Sequence, residues 1–422
     1  MNMILKQIRN EWRSNLFLFV ELLLVFAVLW YIVDWSLVTL RVYRAPMGFD
    51  VSHCYNITVN KFTPKSAAYN PALTSDDDME GLAEIAERLR HRPGIEVVAL
   101  SQNCFPYNEG SNGANVGIDS VSVYARLLWV EPDFFRLFRY GALDESGYAR
   151  MAAALRDGKL VVSSNLMKDA YPELGLNDAA SLSGREVKLL NFNDEPRLIG
   201  AVGMPVRSSH FYTASQWGGS YVAVHLDMDR LKGYANPLYI TLSVRVSPDA
   251  DRDFIDRLMA DADRLYQTGN LYLLDVVPLS EHREAYELED MNETKTRLCV
   301  LGFLLMNIFL GVTGTFWFRT QQRRKEVALR MALGSSRKTV FFRLVCEGMG
   351  LLLLAAIPAV VIALNVGMAE LVDVDKMPFT AGRFLLAVVF TLLLMALMII
   401  AGISYPARKA MNIQPAEALH DE

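Results

Sequence analysis

Four long apolar runs interrupt an otherwise polar chain. They cover residues 16–40, 298–318, 344–366 and 384–404, and each has close to the ~20 residues that a helix needs to cross ~30 Å of hydrocarbon. The pattern therefore predicts four transmembrane helices. A long polar stretch of mixed charge, residues 41–297, lies between the first two runs and is predicted to lie on one side of the membrane.

Basic residues indicate the direction of the spans. Residues 319–343, between the second and third runs, contain eight arginines and lysines and one acid, Glu326. Because positively charged loops are retained in the cytoplasm, this segment is predicted to be cytoplasmic. Both termini, residues 1–15 and 405–422, then fall on the same side, whereas the long polar stretch and the loop 367–383 fall outside.

The first apolar run contains two acids. Residues 1–15, which precede it, are predicted to form a short interfacial helix, and the run itself is predicted to be an uncleaved anchor because no small-residue cleavage site follows it. Asp34 lies beside tryptophan and tyrosine residues at the outer end and is predicted to contact water. Glu21 is expected either to face another helix or to extend towards the cytoplasm.

Both ends of the long polar stretch predict alternating helices and strands. Near its start, a helix over 76–90 is followed by a strand over 96–100. Near its end, strands over 239–246 and 271–277 flank an amphipathic helix over 249–267. Such sets are typical of an α+β domain.

Residues 41–279 are therefore predicted to form an extracytoplasmic α+β domain. Its α+β lobe is built from both ends of the segment. A β-rich lobe of about residues 130–235 is inserted between them, because short strand-like runs separated by turn residues fill this middle part. Residues 280–297 favour a helix and continue without a breaker into the second run, so one uninterrupted stalk helix is expected there.

Motifs of nucleotide and hydrolytic chemistry are missing from the sequence. It contains no GxxxxGK(S/T) phosphate loop, no GxSxG, no HExxH and no dinucleotide-binding glycine fingerprint. The six histidines are scattered without ligand spacing, so we expect no metal, no cofactor and no catalytic residue. The net charge of -5 averages a basic side and a more acidic side and does not indicate nucleic acid as a partner.

Two of the four cysteines, Cys54 and Cys104, fall in the extracytoplasmic segment. A disulfide between them is one expectation, since disulfides persist outside the cytoplasm. Two free, partly buried thiols are the alternative. The other two, Cys299 and Cys346, lie at or near apolar runs, and no pair has the spacing of a metal site.

The basic segment carries a family motif. The run RRKEVALRMALGSSRK resembles the cytoplasmic motif of FtsX/MacB-like ABC transporter permeases. The matching positions are Arg323, Glu326, Val327, Leu329, Arg330, Ala332, Leu333, Gly334 and Arg337. Gly334 is predicted to end a helix, and Ser335 and Ser336 to begin the next, although alanine is commoner in the family at Ser335. The tail PARKAMNIQPAEAL also resembles the closing motif of these permeases.

This resemblance implies partners and a location. It implies a multi-pass permease of the bacterial inner membrane, surrounded by lipid, whose periplasmic lobes resemble the porter and sabre lobes of the family. A second permease chain, identical or different, and a separate cytoplasmic ATPase that binds ATP are implied as partners. The implied ATPase-docking residues are Arg323, Arg324, Lys325, Glu326, Val327, Leu329, Arg330, Leu333 and Gly334. The alternative is that these arginines only hold the topology against anionic lipid.

The resemblance also implies a function. ATP hydrolysis by the partner would drive movements of the periplasmic domain, a mechanism called mechanotransmission, in the export or extraction of a periplasmic protein, peptide or amphiphile. The four spans show no charged stripe that would line a polar channel. Two alternatives stay open: regulation of a cell-wall hydrolase, and a membrane receptor or scaffold without an ATPase.

Overall fold

The chain divides into two compact units. The computed structural model describes residues 12–411 except 111, 143, 169, 177, 191–194, 217–218, 233–235, 323–328 and 332. One unit, here called the helical unit, combines the N-terminal residues up to Arg41 with the residues from Asn292 onward. The other, here called the sheet unit, is Val42–Met291.

The described helices and strands follow one another along the chain as follows. The helices are α1 (Trp12–Arg44), α2 (Ser75–Arg90), α3 (Phe134–Leu137), α4 (Glu145–Arg156), α5 (Ala179–Leu182), α6 (Met228–Leu231), α7 (Pro248–Asp251), α8 (Phe254–Ala260), α9 (Ala262–Leu265), α10 (Leu279–Tyr286), α11 (Leu288–Gln322), α12 (Arg337–Met368) and α13 (Ala381–Met411). The strands are β1 (Cys54–Lys61), β2 (Ile95–Gln102), β3 (Asn112–Ile118), β4 (Val121–Val130), β5 (Leu160–Ser163), β6 (Glu186–Leu189), β7 (Arg197–Gly203), β8 (Tyr221–His225), β9 (Ile240–Val246), β10 (Gln267–Thr268) and β11 (Leu271–Pro278).

Four described helices, α1, α11, α12 and α13, are long and apolar enough to cross a membrane. Their number agrees with the four apolar runs of the sequence. Large side chains of α1, such as Leu22 and Phe26, pack in a core with small residues of α12, such as Ala355 and Ala359. Small residues let membrane helices approach closely, so these four helices form the bundle of a membrane protein.

One sheet of eleven strands runs through the sheet unit in the order β10-β11-β1-β9-β2-β4-β3-β6-β7-β5-β8. β8 also pairs in parallel with β4, so that β4, β3, β6, β7, β5 and β8 close into a six-stranded barrel. The other five strands form an open sheet. Only two residue pairs join β2 of the open sheet to β4 of the barrel, Ser101 with Val130 and Gln102 with Trp129.

The open sheet contains strands from both ends of the sheet unit. β1 and β2 come from its start, and β9, β10 and β11 from its end. This confirms the predicted α+β lobe with a β-rich lobe inserted in it. The inserted part begins at β3 instead of about residue 130, because β4 pairs with β3 along seven positions and both belong to the barrel.

Each part of the sheet has its own apolar core. α2 covers the open sheet with Leu82, Ile85 and Leu89, and it begins at Thr74, whose hydroxyl accepts a hydrogen bond from the Asp77 N–H group. This is the N-cap position that serine and threonine favour. The barrel interior is filled by branched side chains, which include Val116, Leu127, Val162, Ile199 and Val222.

The helix predicted over 249–267 is wrong as a single element. The structure has three short helices there, α7, α8 and α9. Asp253 adopts the left-handed conformation, with φ 57°, which no residue inside an α-helix has. The apolar periodicity was correct, since Phe254 and Leu258 are buried, but it did not reveal the turn.

Candidate functional site

The segment between α11 and α12 contains the residues predicted to dock an ATPase. Arg323, Arg324, Lys325, Glu326 and Val327 lie outside the described residues. Among the described ones, Leu329 is 50% exposed, Leu333 is 79% exposed, and Arg330 is half-buried with a polar partner. The two leucines therefore present apolar surface in this segment, and the docking role itself remains a prediction.

A turn at Gly334 separates the residues predicted to dock the ATPase, residues 323–333 and here called the docking segment, from the third span. The Ser335 N–H group donates to the Arg330 carbonyl at 3.0 Å, and Gly334 has φ 94°. A left-handed glycine with such a six-to-one hydrogen bond is the Schellman end of a helix. The Ser336 hydroxyl then accepts a hydrogen bond from the Thr339 N–H group and caps α12. The predicted helix end and restart are thus confirmed.

Asp34 is paired and buried, contrary to the prediction that it contacts water. Its two carboxylate oxygens accept hydrogen bonds from Arg383 Nε at 2.9 Å and Arg383 Nη2 at 2.6 Å. Both side chains are only 2% exposed. Arg383 also donates to the carbonyls of Asp373 and Met377 in the loop before α13. The pair therefore joins the first span to the fourth span and its preceding loop.

Glu21 faces the second span, which is one of its two predicted placements. The Thr315 hydroxyl lies 3.2 Å from Glu21 Oε1 and 3.1 Å from Oε2. A Cβ atom added to Gly311 would lie 3.8 Å from Glu21 Oε1. The Glu21 carboxyl group therefore lies beside the backbone of α11 at Gly311.

The stalk is interrupted at Glu287, so the prediction of one continuous helix was wrong. α10 ends at Tyr286 and α11 begins at Leu288, while Glu287 itself has φ -91° and ψ 2°. This conformation lies in the bridge region between helix and strand. No glycine or proline marks the break. It coincides instead with a buried carboxylate whose partners come from a distant loop.

Those partners lie in residues 207–212, here called the clasp loop. Glu287 Oε1 accepts hydrogen bonds from the His210 N–H group at 2.7 Å and from the Ser209 hydroxyl at 3.1 Å. The His210 ring nitrogen Nδ1 lies 2.7 Å from the same oxygen. Arg283 Nε donates to Glu287 Oε2 at 3.1 Å. The carboxylate at the break is thus fully occupied by the clasp loop and by α10.

The clasp loop also binds the end of α1. Arg207 is buried, and its guanidinium donates to the Val42 carbonyl at 2.6 Å and to the Ala45 carbonyl at 2.5 Å. The same group donates to the carbonyls of Tyr212 and His210 at 2.7 and 2.8 Å. The last carbonyls of a helix have no partner within the helix, so a cation there satisfies them and complements the helix dipole.

Electrostatics keep the clasp charged. Burial opposes ionisation of Glu287, but the hydrogen bonds from His210 and Arg283 outweigh it and lower the pKa of Glu287 to about 2. Burial lowers the pKa of Arg207 from its ordinary value, and the Glu287 charge opposes that shift. An anion and a cation held by one loop stabilise each other across it.

Aromatic rings enclose the clasp loop. The Tyr107 ring stacks on the His210 ring with centroids 6.3 Å apart and an interplanar angle of 9°, and the Tyr43 ring lies 5.5 Å from His210. Tyr286, the last residue of α10, also contacts Tyr107. These rings exclude water from the polar contacts and strengthen them.

Cys54 and Cys104 are both free, so the structure has the second of the two predicted alternatives. Both thiols are buried, and burial raises the pKa of Cys54 to about 12 and that of Cys104 to about 11. Each sulfur instead contacts backbone carbonyls, with Cys54 Sγ 3.7 Å from the Leu137 oxygen and Cys104 Sγ 2.6 Å from the Gln102 oxygen. These are inert core residues, because a raised pKa removes the reactive thiolate.

Ligand chemistry is sparse in the described part of the chain. Within residues 12–411 and apart from the gaps given above, no three acidic, histidine or cysteine side chains are grouped as metal ligands would be. A surface cleft of about 730 Å³ lies at the end of α2, but its Arg92 is paired with Asp261 at 2.9 Å.

Several of these residues escaped the sequence reasoning. Arg383 directly precedes the fourth apolar run, and Asp34 lies near the outer end of the first run. Two opposite charges at the same end of two spans were a signal for an ion pair. Arg207, His210 and Glu287 gave no signal. The contact of Arg207 with Val42 spans 165 residues and that of His210 with Glu287 spans 77, and the local sequence carries no record of either contact.

Comparison with known proteins finds a family model that matches the C-terminal part of the chain. Residues 298–415 match the FtsX-like permease C-terminal family. The pyoverdine export ATP-binding/permease protein PvdT of Pseudomonas savastanoi pv. phaseolicola is 27% identical over 203 residues, which is 46% of this chain and 28% of that protein. The macrolide export ATP-binding/permease protein MacB of Agrobacterium fabrum is 23% identical over 311 residues, 71% of this chain and 44% of that protein. The chain thus spans less than half the length of these relatives.

Two solved structures are similar to part of the chain at low scores. The periplasmic region of MacB from Actinobacillus actinomycetemcomitans aligns with 56% of this chain and 94% of its own, with 13% identity and a TM-score of 0.29. The extracellular domain of the noncanonic ABC-type transporter YknZ from Gram-positive bacteria aligns with 52% of this chain and 100% of its own, with 15% identity and a TM-score of 0.30.

Proposed function

Because residues 298–415 belong to the FtsX-like permease C-terminal family, we propose that this membrane protein is the permease subunit of an ABC transporter. A separate ATPase binds the segment at residues 319–343 and supplies the energy. The permease converts that energy into movement of the sheet unit, which acts on a substrate outside the cytoplasm. Export is the favoured direction, since the relatives PvdT and MacB are named as export proteins.

The observation that carries the proposal is the double attachment of the clasp loop. It holds the carbonyl end of α1 through Arg207 and the start of α11 through Glu287. α1 continues into the first span and α11 into the second. A displacement of either helix along its length is therefore passed to the clasp loop and to the sheet unit that contains it.

The input lies at the other end of α11. α11 runs from Leu288 to Gln322 without interruption, and a 35-residue helix with a rise of 1.5 Å per residue is about 50 Å long. It is long enough to cross the bilayer and reach the docking segment. The exposed Leu329 and Leu333 and the neighbouring arginines supply the apolar and charged contacts that a groove on an ATPase needs.

The bundle itself offers little to a polar substrate. Asp34 and Arg383 are buried and joined by two hydrogen bonds, buried Glu347 also has an interaction partner, and Glu21 is held by Thr315. A transport path through a bundle would instead present charged groups to a water-filled cavity. The work of the transporter is therefore done by the sheet unit, on the periplasmic side of the bacterial inner membrane.

A docking variant tests the proposal. The full chain is co-expressed with the ATPase encoded beside it, and the complex is purified through a tag on the permease. Reversing two docking charges, Arg324→Glu with Arg330→Glu, is expected to abolish co-purification of the ATPase. The matched control Arg185→Glu, on the barrel surface, keeps it. Full association of the double variant would contradict the docking claim.

Absence of any ATPase would change the class of protein. If no ATPase is encoded nearby and none co-purifies with the unaltered chain, the receptor or scaffold alternative replaces the transporter. If an ATPase binds and a cell-wall hydrolase is activated without export of any substrate, the regulatory alternative replaces the exporter.

A further inference from the structure

Glu21 is an acid in the first span that has no counter-ion among the described side chains. Asp34, the other acid of the same span, meets the guanidinium of Arg383. Glu21 meets the Thr315 hydroxyl, which lies almost equally far from its two oxygens, at 3.2 and 3.1 Å. Within the described part of the chain, no lysine, arginine or histidine side chain contacts it.

The hydroxyl that meets Glu21 has a second neighbour. Thr315 Oγ1 lies 3.0 Å from the Gly311 carbonyl oxygen of its own helix. A hydroxyl group has one hydrogen to donate and can accept as well. If that hydrogen is given to Gly311, the Thr315 oxygen is left to accept a hydrogen bond, and a carboxylic acid beside it can donate one.

We propose that Glu21 is an intramembrane proton-binding site that carries its proton at neutral pH. The acid O–H group donates to Thr315 Oγ1, and Thr315 donates to the Gly311 carbonyl. Each of the three groups is then satisfied. A carboxylate at this place would instead keep a full charge in hydrocarbon without a cation, which is far more costly than taking up a proton.

The charged groups around Glu21 belong to its own helix, to the second span and to the third span. Along the two helices the nearest charged positions are Arg13 and Arg319, towards the basic ends, and their side chains lie outside the description. On the third span, Arg343 and Glu347 have polar partners of their own. The proton thus fastens the first span to the second through hydrogen bonds, as the ion pair of Asp34 fastens the first span to the fourth.

Carbodiimides of different solubility test the site. In the reaction the acid proton moves to one carbodiimide nitrogen and the carboxyl oxygen adds to the central carbon. The acyl group then shifts from oxygen to nitrogen, so the whole reagent stays attached and nothing leaves. The full chain in proteoliposomes is treated at pH 7 with the hydrophobic dicyclohexylcarbodiimide or with a water-soluble carbodiimide, and Glu21 is followed by peptide mass spectrometry.

The proposal expects the hydrophobic reagent to label Glu21 and the water-soluble reagent to leave it unlabelled. Asp34 serves as an internal control, because both of its carboxylate oxygens are occupied by hydrogen bonds from Arg383. A second measurement avoids the question of reagent access: the infrared band of a protonated carboxylic acid should be present at pH 7 and absent in Glu21→Gln. Labelling by the water-soluble reagent, or the absence of that band, would overturn the proposal.

Discussion

The Asp34 carboxylate and the Arg383 guanidinium form a two-bond ion pair in which neither side chain is more than 2% exposed. Asp34 belongs to α1 and Arg383 to the first turn of α13, so the pair connects the first and last spans. Arg383 also holds two carbonyls of the loop before α13. A buried ion pair of this kind fixes α1 and α13 as neighbours and fixes their relative position along the helix axes.

Removing one partner of this pair should be costly. Asp34→Ala leaves the Arg383 charge buried and alone, for which we expect a loss of about 3–5 kcal/mol of stability. Replacing both residues with leucine should lose much less, because no charge then remains. Thermal unfolding of the purified chain in detergent measures both. The exposed Asp375, changed to Asn, is the control, and equal losses in the single and double variants would contradict the pairing.

The carboxylate at the stalk break should matter more than the acids of the neighbouring helix α10. Glu287→Ala removes the acceptor of four hydrogen bonds and leaves Arg283 and the clasp loop without it, so we expect a loss of about 3–5 kcal/mol. Glu284 is exposed on α10 and its change to alanine should have almost no effect. The His210 amide donates a hydrogen bond to Glu287, so its hydrogen exchange should become faster in Glu287→Ala and stay unchanged in Glu284→Ala.

Acid should weaken the clasp in a defined pH window. The pKa of Glu287 is about 2 in the fold and 4.5 for the ordinary group, so the unfolded chain binds its proton first as the pH falls. Its stabilising effect is therefore complete above about pH 4.5 and is lost as the pH approaches 2. Arg207 and Arg283 stay charged throughout.

The variant Glu287→Gln isolates this effect, because it lacks the titrating group. The difference in stability between the natural chain and the variant should shrink as the pH falls from about 4.5 towards 2. A difference that grows across this range would show that Glu287 does not stabilise the fold as a carboxylate.

Gly334 should resist substitution because of its backbone. With φ 94° it adopts a conformation that costs other residues roughly 1–2 kcal/mol, although a Cβ atom would meet no neighbour within 4 Å. Gly334→Ala should therefore distort the turn between the docking segment and α12 and weaken ATPase association. Gly382, which has equally open space but no positive φ, is the control. Unchanged association in Gly334→Ala would contradict the role of the turn.

Sequence patterns were sufficient to predict features that depend on residues close together in the chain. Four apolar runs gave four helices, the Gly334 and Ser336 signals gave a helix end and start, and alternating elements gave the α+β class of the sheet unit. Each of these features depends on neighbouring residues and on the removal of apolar side chains from water, either into a protein core or into hydrocarbon. The docking residues Arg323 to Val327 stay predictions, since they lie outside the described part of the chain.

Features that depend on contacts between residues far apart in the sequence could not be predicted from local patterns. The barrel closes through the parallel pairing of β4 with β8, about a hundred residues apart, and short strands carry no record of such partners. The break at Glu287 follows from a loop 77 residues away. Asp34 was misjudged because its position suggested water, whereas its partner stands 349 residues later.

The central claim is that the clasp passes ATP-driven motion to the sheet unit, and a distance measurement tests it most directly. Spin labels at positions 185, on the barrel, and 375, in the loop before α13, are compared in the transporter complex without nucleotide and with ATP. We expect ATP to shift the distance in the natural chain and in Glu284→Ala. In Glu287→Ala, ATP hydrolysis should persist while the shift is lost. A full shift in Glu287→Ala would contradict the claim.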